Sequence, residues 1–225
     1  MSSPSVPRIH RWTGLSAVAA VGLFAVGNAL WAFEQPDPGA SGPELVEFYG
    51  DLSTRIVVGG LLSLTSIAVL VVLAAALRRL LIEVEQEGFI ADLAYGGLLF
   101  GLAPGVGAEA VNMAAALRAG DGELTEPLAL ALFDISYMLG SYASGLGFGV
   151  LSIAIGAAAL RTGRLLPGWL AIAAIAIGVA LVTPLAGYAI GEYTVAPTMV
   201  LLLVLGVRLL SGSALRAPEA SPASR

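Results

Sequence analysis

Six apolar stretches, separated by connections whose charge alternates, constrain this chain more than any single motif does. They cover residues 13–33, 56–77, 91–117, 128–160, 169–188 and 195–209. Crossing the hydrocarbon of a bilayer takes about 20 mostly apolar residues, so each stretch reads as a membrane-crossing helix, the last a short one. Nine of the eleven arginines lie in alternate connections: Arg8 and Arg11, Arg78 and Arg79, Arg161 and Arg164, then Arg208, Arg216 and Arg225. The connections between them hold only Arg55 and Arg118, beside Glu34, Asp37, Glu44, Glu47, Asp51, Asp121, Glu123, Glu126 and Glu192. Positive charge stays on the cytoplasmic face of a membrane. The pattern predicts an all-α polytopic membrane helical bundle of about six transmembrane helices, with both termini cytoplasmic.

Composition agrees. Charged residues make up 12% of the chain, against roughly 25% in a soluble domain, and the mean hydropathy is +0.88. A soluble chain of this length cannot hide so much apolar surface, whereas lipid is itself an apolar solvent. The lipid bilayer of the cell (inner or plasma) membrane is therefore the expected partner. Self-association into a homo-oligomer is left open. The first stretch, with Arg8 and Arg11 before it, is longer than a signal-peptide core and lacks a good cleavage pattern near Ala29 to Ala32, so it reads as a retained anchor. Residues 1–12 form a cytoplasmic tail, 13–210 the transmembrane domain and 211–225 a disordered cytoplasmic tail, with residues 1–8 disordered as well.

Helix ends carry their own signals. Ser41-Gly-Pro-Glu44 reads as a capping box with proline in the first turn, followed by Leu45, Phe48, Leu52 and Ile56 at helical spacing. The second helix therefore begins outside the bilayer as an amphipathic entry segment. Leu80 to Glu87 extends it into the cytoplasm until Gly88 stops it, and Thr125-Glu-Pro127 starts the fourth helix. Pro104 is expected to kink the third helix and free the carbonyl of Phe100. Pro184 and Pro197 end helices, and Trp12, Trp31 and Trp169 sit at interfaces as anchors.

Lipid gives helices little hydrophobic reason to associate, and close packing across small residues supplies it. The third helix carries Gly97, Gly101 and Gly105 at four-residue spacing, with Glu109 next in the row and Asn112 one turn on. The fourth carries Ser141, Gly145, Gly149, Ser152 and Gly156, a stripe that runs back to Tyr137 and Asp134. Glu109 and Asp134 are equally distant from the loop at Asp121 and Gly122, so antiparallel packing predicts one depth and a common space between the two helices. A buried ionised carboxylate costs on the order of 3 kcal/mol at mid-bilayer, so the pair needs a shared proton, a cation or an arginine, Arg55 first and Arg118 second. One reading is a static network of Arg55, Glu109, Asn112, Asp134, Tyr137 and Ser141 that holds the bundle together. The other is a proton or cation site.

Several chemistries lack their residues. Cysteine is absent and His10 is the only histidine, so there is no thiolate or His-Cys metal site and no cofactor motif. Ser144-Gly145 suggests the rhomboid serine protease, but Tyr142 replaces its glycine and His10 cannot reach the site. Gly145-Leu-Gly147 matches part of the intramembrane aspartyl protease motif, but Phe148 stands at the aspartate position. There is no phosphate loop and no basic patch for nucleic acid. An enzyme is not expected.

Leu132-Phe-Asp134-Ile-Ser-Tyr137 and Ala158-Ala-Leu-Arg161-Thr-Gly-Arg164-Leu-Leu-Pro167-Gly-Trp169-Leu170 carry a resemblance. With the compatible Ala74 to Leu80 and Glu87-Gly88 elements, the chain resembles uncharacterised six-span membrane proteins, a domain of unknown function, of high-GC bacteria. The resemblance implies a six-span bundle and no known activity, and it marks Asp134 and Arg161 as parts of the group's pattern. The sequence thus predicts a membrane protein with a structural or accessory role. Its rival is a small proton- or cation-coupled carrier using Glu109 and Asp134.

Overall fold

The structure, a computed structural model, describes residues 6–85, 88–183 and 195–215, and its regular elements there are all helical. They are α1 (Val6–Ala29), α2 (Gly42–Asp51), α3 (Ser53–Glu85), α4 (Phe89–Gly120), α5 (Glu126–Tyr137), a π-helical segment (Met138–Ala143), α6 (Ser144–Thr162), α7 (Gly168–Val182) and α8 (Val195–Leu210). Short 3₁₀ turns follow α1 at Ala32–Glu34 and α8 at Ser213–Leu215. Four stretches are long and apolar enough to cross a membrane: Ile9–Ala29, Ser53–Glu85, Phe89–Gly120 and the continuous run Glu126–Thr162. The helices α7 and α8 are apolar but shorter. The all-α bundle stands. The expectations for residues 1–5, Glu87, Pro184, Tyr188, Glu192, Arg216, Arg225 and the tail 216–225 lie outside the described residues.

Local signals explain most helix ends. Gly88 adopts a left-handed φ of +78° before α4, a conformation that costs glycine nothing. Ser41 and Thr125 are the N-cap residues of α2 and α5, each with proline in the first turn, but neither side chain makes a capping hydrogen bond. The expected capping box is therefore not closed. The break at Leu52 (φ −105°, ψ 9°) separates α2 from α3, so the entry segment is a helix of its own. Leu45, Phe48, Leu52 and Ile56 nevertheless share a buried face.

Three boundaries differ from expectation. The first helix begins at Val6 and ends at Ala29, because the chain tightens through Leu30 N–H to Gly27 O and Trp31 N–H to Asn28 O. The C-terminal segment is docked as far as Leu215, since Ala214 is buried and its carbonyl accepts from Leu165 N–H at 2.8 Å. Trp12 and Trp169 are exposed as interfacial anchors would be, but Trp31 is only 6% exposed and packs on Gly59. A glycine there leaves a slot that an indole fills.

The helix α3 packs against α1 on one side and α4 on the other; α4 packs on α6, α6 on α7, and α8 closes against α1 and α6. Buried side chains form two cores. One includes Leu73, Leu77, Leu98, Leu151, Ile155 and Leu205. The other, at the end holding Arg55 and Arg118, gathers Trp31, Leu45, Phe48, Tyr49, Leu124 and Phe133 around α2.

Glycine sets the helix spacing, in pairs. A Cβ on Gly27 would lie 2.7 Å from the Gly59 carbonyl oxygen, and one on Gly59 would lie 2.5 Å from that of Gly27. The same reciprocity joins Gly14 to Gly206, Gly97 to Gly147 and Gly149 to Gly178. Four helix contacts (α1–α3, α1–α8, α4–α6 and α6–α7) thus bring backbone against backbone. This corrects the predicted seam. Gly97 and Gly101 do face α6, but they meet Gly147, outside the predicted stripe, while Gly149 and Gly156 turn to α7. Residues two apart on a helix point about 200° apart, so α6 shows one glycine face to each neighbour. Gly105 has only Ser144 Oγ and Ile67 Cδ1 near it, at 3.6 and 3.8 Å, and Gly145 is buried.

Candidate functional site

A four-residue row on a helix is inclined, because 3.6 residues make a turn. From Gly97 to Glu109 the row rotates by about 120°, which carries Glu109 away from α6 and onto α3. There its carboxylate reaches the hydroxyl of Ser63. Gly60, one turn earlier on α3, makes the approach possible: a Cβ on it would lie 2.7 Å from Met113 Cγ and 3.4 Å from Glu109 Oε2. Ser63 Oγ in turn accepts from Asn28 Nδ2 of α1 at 3.5 Å, while that amide also donates to the Phe24 carbonyl at 2.9 Å. Donors run in one direction from α1 through α3 to α4, and Glu109 is the terminal acceptor.

The expected common space with Asp134 does not form. Asp134 is exposed on α5, and its physical displacement has a cause in the chain between it and α6. The π-helical segment inserts one extra residue into the turn, which offsets the faces on its two sides by roughly 100°. Ser144 Oγ donates to the Leu139 carbonyl five residues back, at 3.1 Å. Ser141 lies in this segment, half-buried. Tyr137 stacks on Phe133 at 6.3 Å and meets Tyr142 edge-on at 6.0 Å. The helix α4 runs on through Pro104, and the turn after it abuts the π segment: a Cβ on Gly107 would lie 3.1 Å from Leu139 Cδ1, and one on Gly140 3.4 Å from Ala108 Cβ.

Arg55 is not the partner of either carboxylate; its Nη1 lies 2.7 Å from Glu34 Oε1, on the turn after α1. Asn112 accepts from the Tyr49 hydroxyl at 3.0 Å, so its partner comes from α2. Burial pushes the Tyr49 phenol up to about 12, against the opposing effect of its hydrogen bond with Ser136 of α5. Tyr49 therefore ties α2 to α4 and α5 at once. Asn28, Ser63, Tyr49 and Ser136 were not singled out from the sequence. Only Asn28, a lone amide in the first apolar stretch, stands out there; serine is common at helix contacts and gives little signal.

At the other end, Glu85 and Arg161 meet at 3.3 Å with the Glu85 side chain 1% exposed, and Arg78 pairs with Asp92 at 2.7 Å. Arg208 Nε donates to the Leu165 carbonyl at 2.9 Å and its Nη2 to that of Ser213 at 3.2 Å. Leu165, at φ +70°, is a left-handed leucine, a backbone that side chains adopt only under constraint; the docked C-terminal turn supplies it. Ser152 and Thr198 share a buried hydrogen bond of 3.2 Å between α6 and α8. Among the described residues, no three His, Cys, Asp or Glu side chains cluster as metal ligands would. No family model matches this chain, and neither a curated protein nor a solved structure matches it.

Proposed function

We propose that this is a six-span integral protein of the cell membrane, both termini cytoplasmic, with a structural or accessory role and no catalytic one. The observation that carries the reading is where its polar side chains go: Glu109 to Ser63, Asn28 to Ser63, Ser152 to Thr198 and Ser66 Oγ to the Ala20 carbonyl. Each joins two helices, and Asn28–Ser63 and Ser66–Ala20 lie at the α1–α3 contact where Gly27 and Gly59 bring backbones together. Polar groups in lipid are costly unless partnered, and here the partners are neighbouring helices. The lengths support a cap outside the bilayer. At 1.5 Å per residue α3 and α4 are each roughly 50 Å long, against a hydrocarbon layer of about 30 Å, and their arginine-poor ends enter the second core around α2.

A second reading, the proton- or cation-coupled carrier, rests on Glu109. An ionisable group inside a membrane is a functional candidate by default, and this one ends a hydrogen-bond chain from three helices next to a π segment, an irregularity common at functional sites. Reconstituted vesicles separate the two readings. A structural role predicts proton flux equal to that of protein-free vesicles, unchanged by Glu109→Gln; a flux that Glu109→Gln abolishes assigns the carrier role. The six-span orientation is tested with single cysteines at Asp121 and Ser211, which membrane-impermeant thiol reagents must report on opposite sides.

A further inference from the structure

At the arginine-poor end the first turns of α2 and α5 lie side by side. A Cβ on Gly42 would lie 2.7 Å from Glu126 Cβ. Between the two helices runs an open groove lined by Pro43, Val46, Leu124 and Pro127, with Glu47 and Glu126 along it. The Glu126 carboxylate lies beside the first turn of α2, 3.3 Å from where a Gly42 Cβ would stand. The helix dipole favours an acidic group there. Glu47, a turn further along α2 and exposed, has no such compensation.

Among the described residues at this end, no arginine is left for this groove. Arg55 is taken by Glu34 and Arg118 by Glu123 at 3.8 Å. Among the described residues, Glu44, Glu47, Asp51, Asp121 and Glu126 make no ion pair, and the sequence between α7 and α8 contains no basic residue. An apolar trough with one uncompensated carboxylate, Glu47, on its rim is complementary to an apolar group beside a cation. We propose that it docks a segment of a partner protein presenting an apolar side chain flanked by arginine or lysine, on the extracytoplasmic side. That side rests on the orientation proposed above. A second copy of this chain fits poorly, since it would bring the same acidic end, and like charges facing each other oppose association.

The full chain in nanodiscs of zwitterionic lipid, probed with a short synthetic peptide alternating leucine and arginine, tests the groove. Binding by fluorescence anisotropy is expected, above that of empty nanodiscs. It should weaken about tenfold or more in Glu47→Lys and in Val46→Asp. It should also fall as salt rises, since exposed charges are screened beyond roughly 8 Å at physiological ionic strength. Equal affinity in Glu47→Lys, or equal binding of a leucine–glutamate peptide, overturns the proposal. So does disulfide cross-linking between two copies of a Val46→Cys variant, which assigns the face to a second copy. The chain has no cysteine of its own, so Glu47→Cys reports the side separately. Labelling in intact cells supports the extracytoplasmic placement, and labelling only after permeabilisation overturns that half, with the six-span orientation, whatever the peptide result.

Discussion

Replacing Gly147 with alanine tests whether glycine sets the spacing of this bundle. The new Cβ would overlap the Gly101 backbone and stand 2.6 Å from the Gly97 carbonyl oxygen. Neither obstacle is a flexible side chain, so α4 and α6 must part by at least about 0.8 Å, the separation that returns the Gly97 carbonyl oxygen to an ordinary contact of 3.4 Å. Leu98 and Leu151, both fully buried in the core these helices share, measure the loss. A buried leucine makes roughly 40–60 atom contacts of about 0.1–0.2 kcal/mol, and a gap of this size forfeits about a quarter to a half of each. If about half of the contacts of the two leucines cross the interface, separation costs about 1–6 kcal/mol, near 3 kcal/mol at the middle of those ranges. Alanine's better helix propensity returns at most about 1 kcal/mol, for a net loss near 2 kcal/mol. Gly96→Ala, where nothing lies within 4 Å, and Gly105→Ala, with Ser144 Oγ at 3.6 Å, keep only the propensity gain. Reversible unfolding in mixed micelles with rising dodecyl sulfate, followed by tryptophan fluorescence, reads all three. If Gly147→Ala proves as stable as Gly96→Ala, the close-approach argument fails.

Tyr49→Phe removes the hydrogen bonds to Asn112 and Ser136 and should cost about 1–2 kcal/mol in the same assay. Because the folded phenol titrates near 12 and an unperturbed one near 10, the folded state holds the proton more tightly. Its stabilising contribution is full below pH 10 and is lost as pH rises from 10 to 12; a Tyr49→Phe protein showing the same alkaline decline refutes this. Arg161→Ala leaves the carboxylate of Glu85 with one cation fewer in a buried place and should destabilise by about 2 kcal/mol or more. Adding Glu85→Gln should recover part of that loss, and no recovery would show that the charge is not the cause. Arg208→Ala frees the Leu165 and Ser213 carbonyls, so hydrogen exchange of Leu165 N–H should accelerate at least tenfold, while the amides of α4 stay unchanged.

Much of the fold is written in local chemistry. Apolar length is enough to name the helices, and Gly88 and Thr125 mark ends that hold. Among the described residues, Arg161 reaches Glu85 and Arg208 reaches Leu165 at one end, while Arg55 and Arg118 lie at the other. What the sequence could not state is which face of each helix meets which neighbour. A soluble helix announces its buried side by a polar opposite face, but a helix in lipid is apolar all round, and that signal vanishes. Spacing alone then misleads. The row from Gly97 drifts to turn Glu109 onto Ser63, one extra residue in the π turn swings Asp134 outward, and Gly147, absent from any four-residue stripe, makes the closest approach. Composition and charge order therefore determined that helices form and how their ends are marked. Tertiary packing decided the partners, because only backbones in contact distinguish a neighbouring helix from lipid.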